Sequence, residues 1–413
     1  MVRVRSRGGC LVVLLAVVGA LWGPATAAAD VTAYDATDTS GLSDFGHTQG
    51  ATVADFNGDS WDDVLLIRHY DSFPRLYLND SGVFSWTGPG AFPNKPEWRD
   101  YHSCPPADVD GNGLLDLYCT TGGLRGGTGP NPNELWLQTT PGQFTEQAGA
   151  WGVLDPYGRG RGATFLFADG DARPDLYVTN QYPRLDRKPG PNRLFLNVDG
   201  SRFVPAPQFG LNRRLGGESV QQIDFDADGD DDVLLCGRDA LILFENHANQ
   251  RFTRMTRRQG IPVNCAEAVL APFTPDARPD LVVVSPNGLR VVRQRPNHTF
   301  RNRAVVARRV KRATQVATGD INADGHLDLY VLRSGRFKSS KPRDAQVDLA
   351  DKMFVNTGAG RVRAKPIPQS LRGIGEAVTA IDHDRNGLTD FIVQNGERMA
   401  SGPTSLVAFR DDG

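Results

Sequence analysis

A short acidic segment recurs along the whole chain, and its period limits the fold more than any other feature. The fragments DFNGDSWDDVLL from Asp55, DVDGNGLLDLYC from Asp108, DFDADGDDDVLL from Asp224, DINADGHLDLYV from Asp320 and DHDRNGLTDFIV from Asp382 share one template. Each places Asp or Asn at positions 1, 3, 5 and 9 and then enters an apolar run. Two worn copies, FADGDARPDLYV from Phe167 and PFTPDARPDLVV from Pro272, lie in the gaps, so that successive copies start 48 to 62 residues apart. Self-similarity at such a period marks a repeat architecture in which each unit is one supersecondary element.

The surroundings repeat as well. A short Ala/Val stretch precedes the acidic segment, as at Ala51 to Ala54 or Ala377 to Ile381, and a β-branched run follows it, as at Val64 to Ile67 or Leu281 to Val284. A third run alternates aromatic and aliphatic residues: RLYLN from Arg75, ELWLQ from Glu134, RLFLN from Arg193, KMFVN from Lys352. A fourth begins near a G-x-F signature at Gly82, Gly142 or Gln250. Two strands joined by the acidic loop and two more behind them make a four-stranded antiparallel unit, which is the blade of a β-propeller. The expectation is an all-β, seven-bladed propeller. The last unit has only three strands, ending with Ser405 to Phe409, whereas Asp30 to Ala36 reads as a fourth strand with no unit of its own. The N-terminal strand is therefore expected to complete the last blade and close the ring, which removes open edges.

The units resemble FG-GAP repeats, also called VCBS repeats, which form the propeller of integrin α-subunits and of many bacterial secreted proteins. Phe45 and Gly46 stand where the Phe-Gly pair of that family would. The likeness is greatest to propellers of the cartilage-acidic-protein type, without the cysteine-bearing domain that often follows them. The resemblance implies a calcium-binding propeller whose ion loops share one face and whose ligands meet the other.

The loop chemistry points to calcium independently of that likeness. A hard cation takes six to eight oxygens, and carboxylates at alternate positions of a tight loop converge on one point. About five structural Ca2+ sites are expected. The first would use Asp55, Asn57, Asp59 and Asp63 with the Trp61 carbonyl; the second, Asp108, Asp110, Asn112 and Asp116 with Leu114. The fourth loop offers Asp224, Asp226, Asp228 and Asp232 with Asp230, and the sixth offers Asp320, Asn322, Asp324 and Asp328 with His326. The last offers Asp382, Asp384, Asn386 and Asp390 with Leu388. Glycine at position 6 suits a turn with positive φ; Ser60 breaks that rule, and Gly58 is expected to relieve the strain. An EF-hand is excluded because it needs a bidentate Glu at position 12, where Leu66, Cys119 and Val331 stand. The third and fifth loops have lost ligands and are expected to bind calcium weakly or not at all.

Residues 1–29 read as a secretory signal peptide, with Arg3, Arg5 and Arg7 ahead of an apolar run from Cys10 to Trp22 and small residues around Ala27 and Ala29. The run is shorter than the ~20 residues a membrane span requires, so residues 30–413 are expected to be one secreted propeller domain, loosely surface-associated at most, with no integral membrane segment. The formal net charge of −2 includes the leader arginines, and this balance does not call for nucleic acid. Beyond Cys10, the cysteines Cys104, Cys119, Cys236 and Cys265 are even in number, as expected for bridges in an exported protein. Their places in the repeat favour Cys104 with Cys119 across one hairpin and Cys236 with Cys265 between adjacent blades; free buried thiols are the alternative.

The extra length of the chain falls in insertions from Trp86 to Ser103, Thr120 to Asn133, Gly149 to Gly162, Asn180 to Asn192 and Ser334 to Asp351. They carry Trp98, Tyr101, His102, Trp151, Tyr157, Arg159, Arg161, Tyr182 and Arg184, and a basic run at Arg308, Arg309, Lys311 and Arg312 should approach the same face. Aromatics beside arginines suit sugar rings or anionic groups. The expected partner is a glycan or an extracellular protein. A polysaccharide- or sugar-modifying, lyase-like enzyme is the alternative, and it is the weaker one, because no H-E-x-x-H or G-x-S-x-G motif occurs and the patterned carboxylates are already committed to the loops.

Overall fold

The computed structural model describes residues 31–69, 73–94, 99–122, 131–181, 190–237, 240–255, 261, 265–285, 288–301, 304–333, 350–358, 360–368, 375–395 and 402–412. The leader reading thus falls outside the described residues. Seven antiparallel sheets follow one another around a ring. The first blade is Thr48–Ala54, Asp63–Arg68, Arg75–Asp80 and Val83–Trp86, each strand pairing with the next. The last joins Gly375–Ile381, Asp390–Asn395 and Gly402–Asp411 to the N-terminal strand Val31–Asp35, with Val31 opposite Asp411 and Asp35 opposite Val407. The expected closure is therefore present, and it pins the two chain ends to each other. The short strand Asp44–Gly46 adds to the same sheet through Gly402 to Thr404.

The second strand of each blade is buried along nearly its whole length, as in Asp63–Arg68 and Asp175–Asn180. A central strand of a blade is covered on both faces by neighbouring blades, which is why these segments read as continuous apolar runs rather than as alternation. Apolar clusters accordingly fill the wedges between blades. Leu65, Ile67, Leu117 and Trp136 meet between the first and second blades; Leu234, Leu243, Leu281 and Val283 meet between the fourth and fifth.

Both expected disulfides form. Cys104–Cys119 lies within the second blade and Cys236–Cys265 ties the fourth blade to the fifth. One departure from the repeat is local: the inner strand of the second blade is broken into Tyr101–Ser103 and Pro106–Ala107. Pro105 and Pro106 supply no N–H to the ladder, and the bridge at Cys104 anchors the chain across the gap. Among the described residues, no helix is long and apolar enough to cross a membrane.

The candidate ligand sites on the two propeller faces

Strand order sets what each face carries. The acidic loops join first to second strands, so they share one face with the turns between third and fourth strands. The connections from second to third strands and from each blade to the next, with the described parts of the insertions and the basic run, lie on the other face.

On the acidic face the loops share one hydrogen-bonded frame. The backbone N–H at position 6 donates to the carboxylate at position 1, from Ser60 to Asp55 at 2.8 Å, Gly113 to Asp108 at 2.9 Å, Gly229 to Asp224 at 3.1 Å, Gly325 to Asp320 at 2.8 Å and Gly387 to Asp382 at 3.1 Å. The N–H at position 7 donates to position 5, from Trp61 to Asp59, Leu114 to Asn112, Asp230 to Asp228, His326 to Asp324 and Leu388 to Asn386, at 2.7 to 2.9 Å. Positions 4 and 6 both require the left-handed region. Gly58 has φ 80° and Ser60 itself has φ 73°, so Gly58 does not relieve Ser60; it meets a second requirement of its own.

The aspartate at position 9 does something that spacing alone did not reveal. In all seven blades one of its oxygens accepts the N–H of the loop residue at position 2 or 3, and the other accepts an N–H from the strand beyond. For Asp63 these donors are Phe56 and Asn79, for Asp175 Ala168 and Asn197, for Asp328 Ile321 and Asn356, and for Asp390 His383 and Phe409. Asp116, Asp232 and Asp280 repeat the pattern with Val109 and Gln138, Phe225 and Asn246, Thr274 and Gln294. In five of the seven blades the side-chain amide of that donor residue then reaches the preceding blade. Asn79 donates to the His383 carbonyl at 2.9 Å, Asn197 to Val109 at 2.8 Å, Gln294 to Phe225 at 2.7 Å and Asn356 to Phe273 at 3.0 Å. Position 9 is thus a latch that couples blade to blade, and it persists in the worn copies. Burial pushes these carboxyls up, Asp63, Asp116 and Asp175 to about 7 and Asp232 and Asp328 to about 8, with the donated N–H groups offsetting part of the shift.

The donor sets of the intact loops fit a hard cation. Asp108, Asp110 and Asp116 bring one oxygen each within 4.8 Å of the others, as do Asp224, Asp226 and Asp232. Oδ1 of Asp224, of Asp226, of Asn322 and of Asp382 is buried with no hydrogen-bond partner among the described residues, and leaving such an oxygen unmatched is costly. The worn loops answer the same electrostatic need differently. Arg173 bonds Asp171 in the third loop, and Arg278 bonds Asp276 in the fifth, where Arg293 adds a contact at 2.5 Å. Both arginines occupy position 7 of the template, in the shared string DARPD. In each worn loop a tethered guanidinium thus neutralises a carboxylate from within the chain.

The opposite face divides the expected ligand residues. Tyr101 is buried with no exposure, its hydroxyl donating to Glu134 at 2.7 Å, and Trp151 is buried against Phe203. Both pack in the wedges rather than line a surface, because a large aromatic beside an inner strand has more to gain from the interblade core than from solvent. Arg161 is likewise buried, bonding the Gly160 carbonyl and the Gln181 side chain, and Arg159 is half-buried. Tyr157 is 82 % exposed, and Arg308, Arg309 and Lys311 are exposed. His102 stands beside His69 and Asp100. Trp98, Tyr182 and Arg184 lie outside the described residues. Two exposed aromatics were not anticipated as ligand residues: Trp86, with the Arg75 guanidinium 5.0 Å from its ring centre, and Phe45, 64 % exposed. Phe45 is the aromatic of the Phe-Gly pair. Its neighbour Gly46 lies under the Arg68 guanidinium, which a Cβ would strike, and Arg68 pairs with Asp44 at 2.7 Å.

A ring of seven four-stranded blades with acidic hairpin loops on one face defines a repeat propeller. The model for the FG-GAP-like repeat matches residues 55–119, 168–235 and 273–331, and the chain belongs to the FG-GAP repeat propellers. No curated protein matches it in sequence. Among solved structures, it is similar to a lectin from Agrocybe aegerita described as specifically recognising non-reducing terminal N-acetylglucosamine, at 16% identity and TM-score 0.50, covering 76% of this chain and 79% of the lectin. It is also similar to BBS1N from its complex with ARL6DN, at 9% identity and TM-score 0.50, covering 89% and 94%. At such identities the likeness is one of fold.

Proposed function

We propose that the protein is an exported, calcium-stabilised propeller that binds a glycan on the face opposite its acidic loops. The FG-GAP propeller itself is a binding or scaffold platform. One observation supports placing the ligand: among the described residues, the exposed aromatics Phe45, Trp86 and Tyr157 all stand on strand segments or connections away from the acidic loops, on the face that also carries the exposed basic run. Flat aromatic faces stack on sugar rings, and nearby guanidinium groups suit acidic substituents. A lectin among proteins of similar fold agrees with this reading. Export is supported by the leader pattern and by two disulfides, which persist in oxidising compartments. Calcium is supported by the convergent oxygens of the second and fourth loops and by the donor template that all five intact loops share, and its role there is structural, because it matches clustered carboxylates at closed turns.

The test is a glycan and polysaccharide array probed with the mature protein, in calcium and in chelator, beside Tyr157→Ala and Trp86→Ala. Binding to acidic glycans that either variant weakens at unchanged melting temperature supports the reading. A blank array from a protein that melts cooperatively overturns it in favour of a protein ligand. Chelator should lower the melting temperature, and an unchanged melt refutes the calcium assignment separately.

A further inference from the structure

The face opposite the acidic loops also holds a cluster that neither those loops nor the exposed aromatics use. His69 follows directly on the strand Asp63–Arg68 of the first blade, and Asp100 and His102 flank the start of Tyr101–Ser103 in the second. His69 Nε2 is 2.7 Å from Asp100 Oδ1, and His102 Nε2 is 3.4 Å from the same oxygen, with all three side chains at least nine-tenths buried. One ligand atom from each lies within 4.8 Å of the other two. Zinc bonds of about 2.1 Å at a tetrahedral angle separate neighbouring donors by about 3.4 Å. The His102–Asp100 spacing already has that value, and His69 would need to withdraw by less than an ångström.

We propose that His69, Asp100 and His102 form a binding site for a divalent transition-metal ion of the zinc class, distinct from the calcium loops. Two imidazoles and one carboxylate make a donor set suited to zinc and its neighbours, whereas calcium takes oxygen. The geometry behind the ligands is that of a supported metal site. Gln49 Oε1 lies 2.5 Å from His69 Nδ1, and the Gln49 amide is itself turned by a 3.2 Å bond from Nε2 to Glu376. That orientation makes Nδ1 a protonated nitrogen and leaves Nε2 as the ring atom that faces Asp100, as the outer partner of a metal-ligating histidine does.

A second, independent feature lies across the cluster. Gly122 ends the described part of the second-to-third strand connection, and its N–H bonds the Asp100 carbonyl at 2.7 Å. A Cβ at this position would collide with Asp100 Oδ2 and come within 2.7 Å of His102 Nε2, so only glycine leaves room beside the donors. Glycine here lets the connection pack directly against the donors, and a set of three protein ligands leaves a zinc-class ion one further position for water or an oxygen of a bound molecule. Because its ligands come from two blades, the ion would also staple the first blade to the second.

The experiment uses metal-depleted full-length mature protein in excess calcium, titrated with Co2+ as a spectroscopic probe and then challenged with Zn2+. One equivalent of cobalt with visible ligand-field absorption, displaced by zinc, is the expected result. His102→Gln and Gly122→Ala should each weaken cobalt binding by about tenfold or more, and Gln49→Ala, which touches no metal, by about 10- to 100-fold. Melting temperatures in calcium without transition metal establish that each variant is folded. Wild-type protein that takes up no stoichiometric cobalt overturns the proposal whatever the variants do, and so does cobalt binding that folded His102→Gln leaves unchanged. Either result would make the cluster a hydrogen-bonded His–Asp–His network between blades.

Discussion

The latch at position 9 can be tested at Asp175 in the third blade, whose loop has Phe167 at position 1 and a guanidinium bonded to Asp171. Asp175→Ala removes the acceptor of two buried donors, Ala168 N–H at 2.9 Å and Asn197 N–H at 2.9 Å. Each orphaned donor costs about 1–3 kcal/mol, so the pair costs about 2–6 kcal/mol. Opposing this is the cost of holding a carboxylate in the hairpin. Burial lifts Asp175 to about 7, above the value near 3.9 of an unfolded chain. A folded pKa above the unfolded one means that stability is fully present below about pH 4. Between there and about pH 7 it is lost, because the unfolded chain releases a proton that the folded chain keeps. Three units correspond to about 4 kcal/mol. Alanine has no such proton, so the variant's deficit should be largest at low pH and shrink as pH rises. With about 2.1 cal/mol/K per residue over roughly 380 residues, a deficit of 2–6 kcal/mol lowers the melting temperature by about 3–8 °C. The assay is calorimetry of both proteins at pH 5 and pH 8 in chelator. A deficit below about 1 °C at pH 5 refutes the latch, and one that does not change with pH refutes the raised carboxyl at Asp175.

Two further expectations follow from the same geometry. Replacing Phe167 by Asp and Arg173 by Leu restores the first ligand of the third loop and removes the guanidinium bonded to Asp171; calcium titration should then count one more equivalent than in wild type, and an unchanged count refutes the idea that the arginine substitutes for the ion. Cys104→Ser with Cys119→Ser opens a bridge whose cysteines are 15 residues apart, a loop size for which about 3 kcal/mol is typical. Chemical denaturation should show that loss, whereas a midpoint equal to wild type would mean that the bridge contributes nothing to stability.

The number of blades, the four strands in each, the closure by the N-terminal strand and the disulfide partners were all legible in the sequence, because each depends on a period or on an offset within a period. The seven recurrences from Asp55 to Asp382 and the strand without a unit at the N-terminus leave little freedom once strands must pair and edges must be covered. The acidic ligand pattern was legible for the same reason. Other features escaped because they depend on which residues from distant parts of the chain become neighbours. Nothing local distinguishes Asp63 as a latch from Asp59 as a loop donor; the difference is that Asn79 and the His383 carbonyl of the adjoining blade arrive beside it. Tyr101 and Tyr157 are both aromatics in insertions, yet one is buried against Glu134 and the other is exposed, because the wedge between two blades has a place for the first and not for the second.

The arginines of the worn loops could have been found from sequence, since DARPD occurs in both and nowhere among the intact loops, but their meaning needed the contacts to Asp171 and Asp276. The meeting of His69 with Asp100 and His102 could not have been found that way. Their separation of some thirty residues follows no repeat rule, and only the seating of one blade against the next puts them together. Periodic pattern, written in alternating apolar positions and recurrent acidic turns, determined the architecture of this chain and one of its faces. The composition of the other face was decided by tertiary packing, because its connections vary in length and sequence from blade to blade and their side chains are sorted into core or surface by the blades they land on.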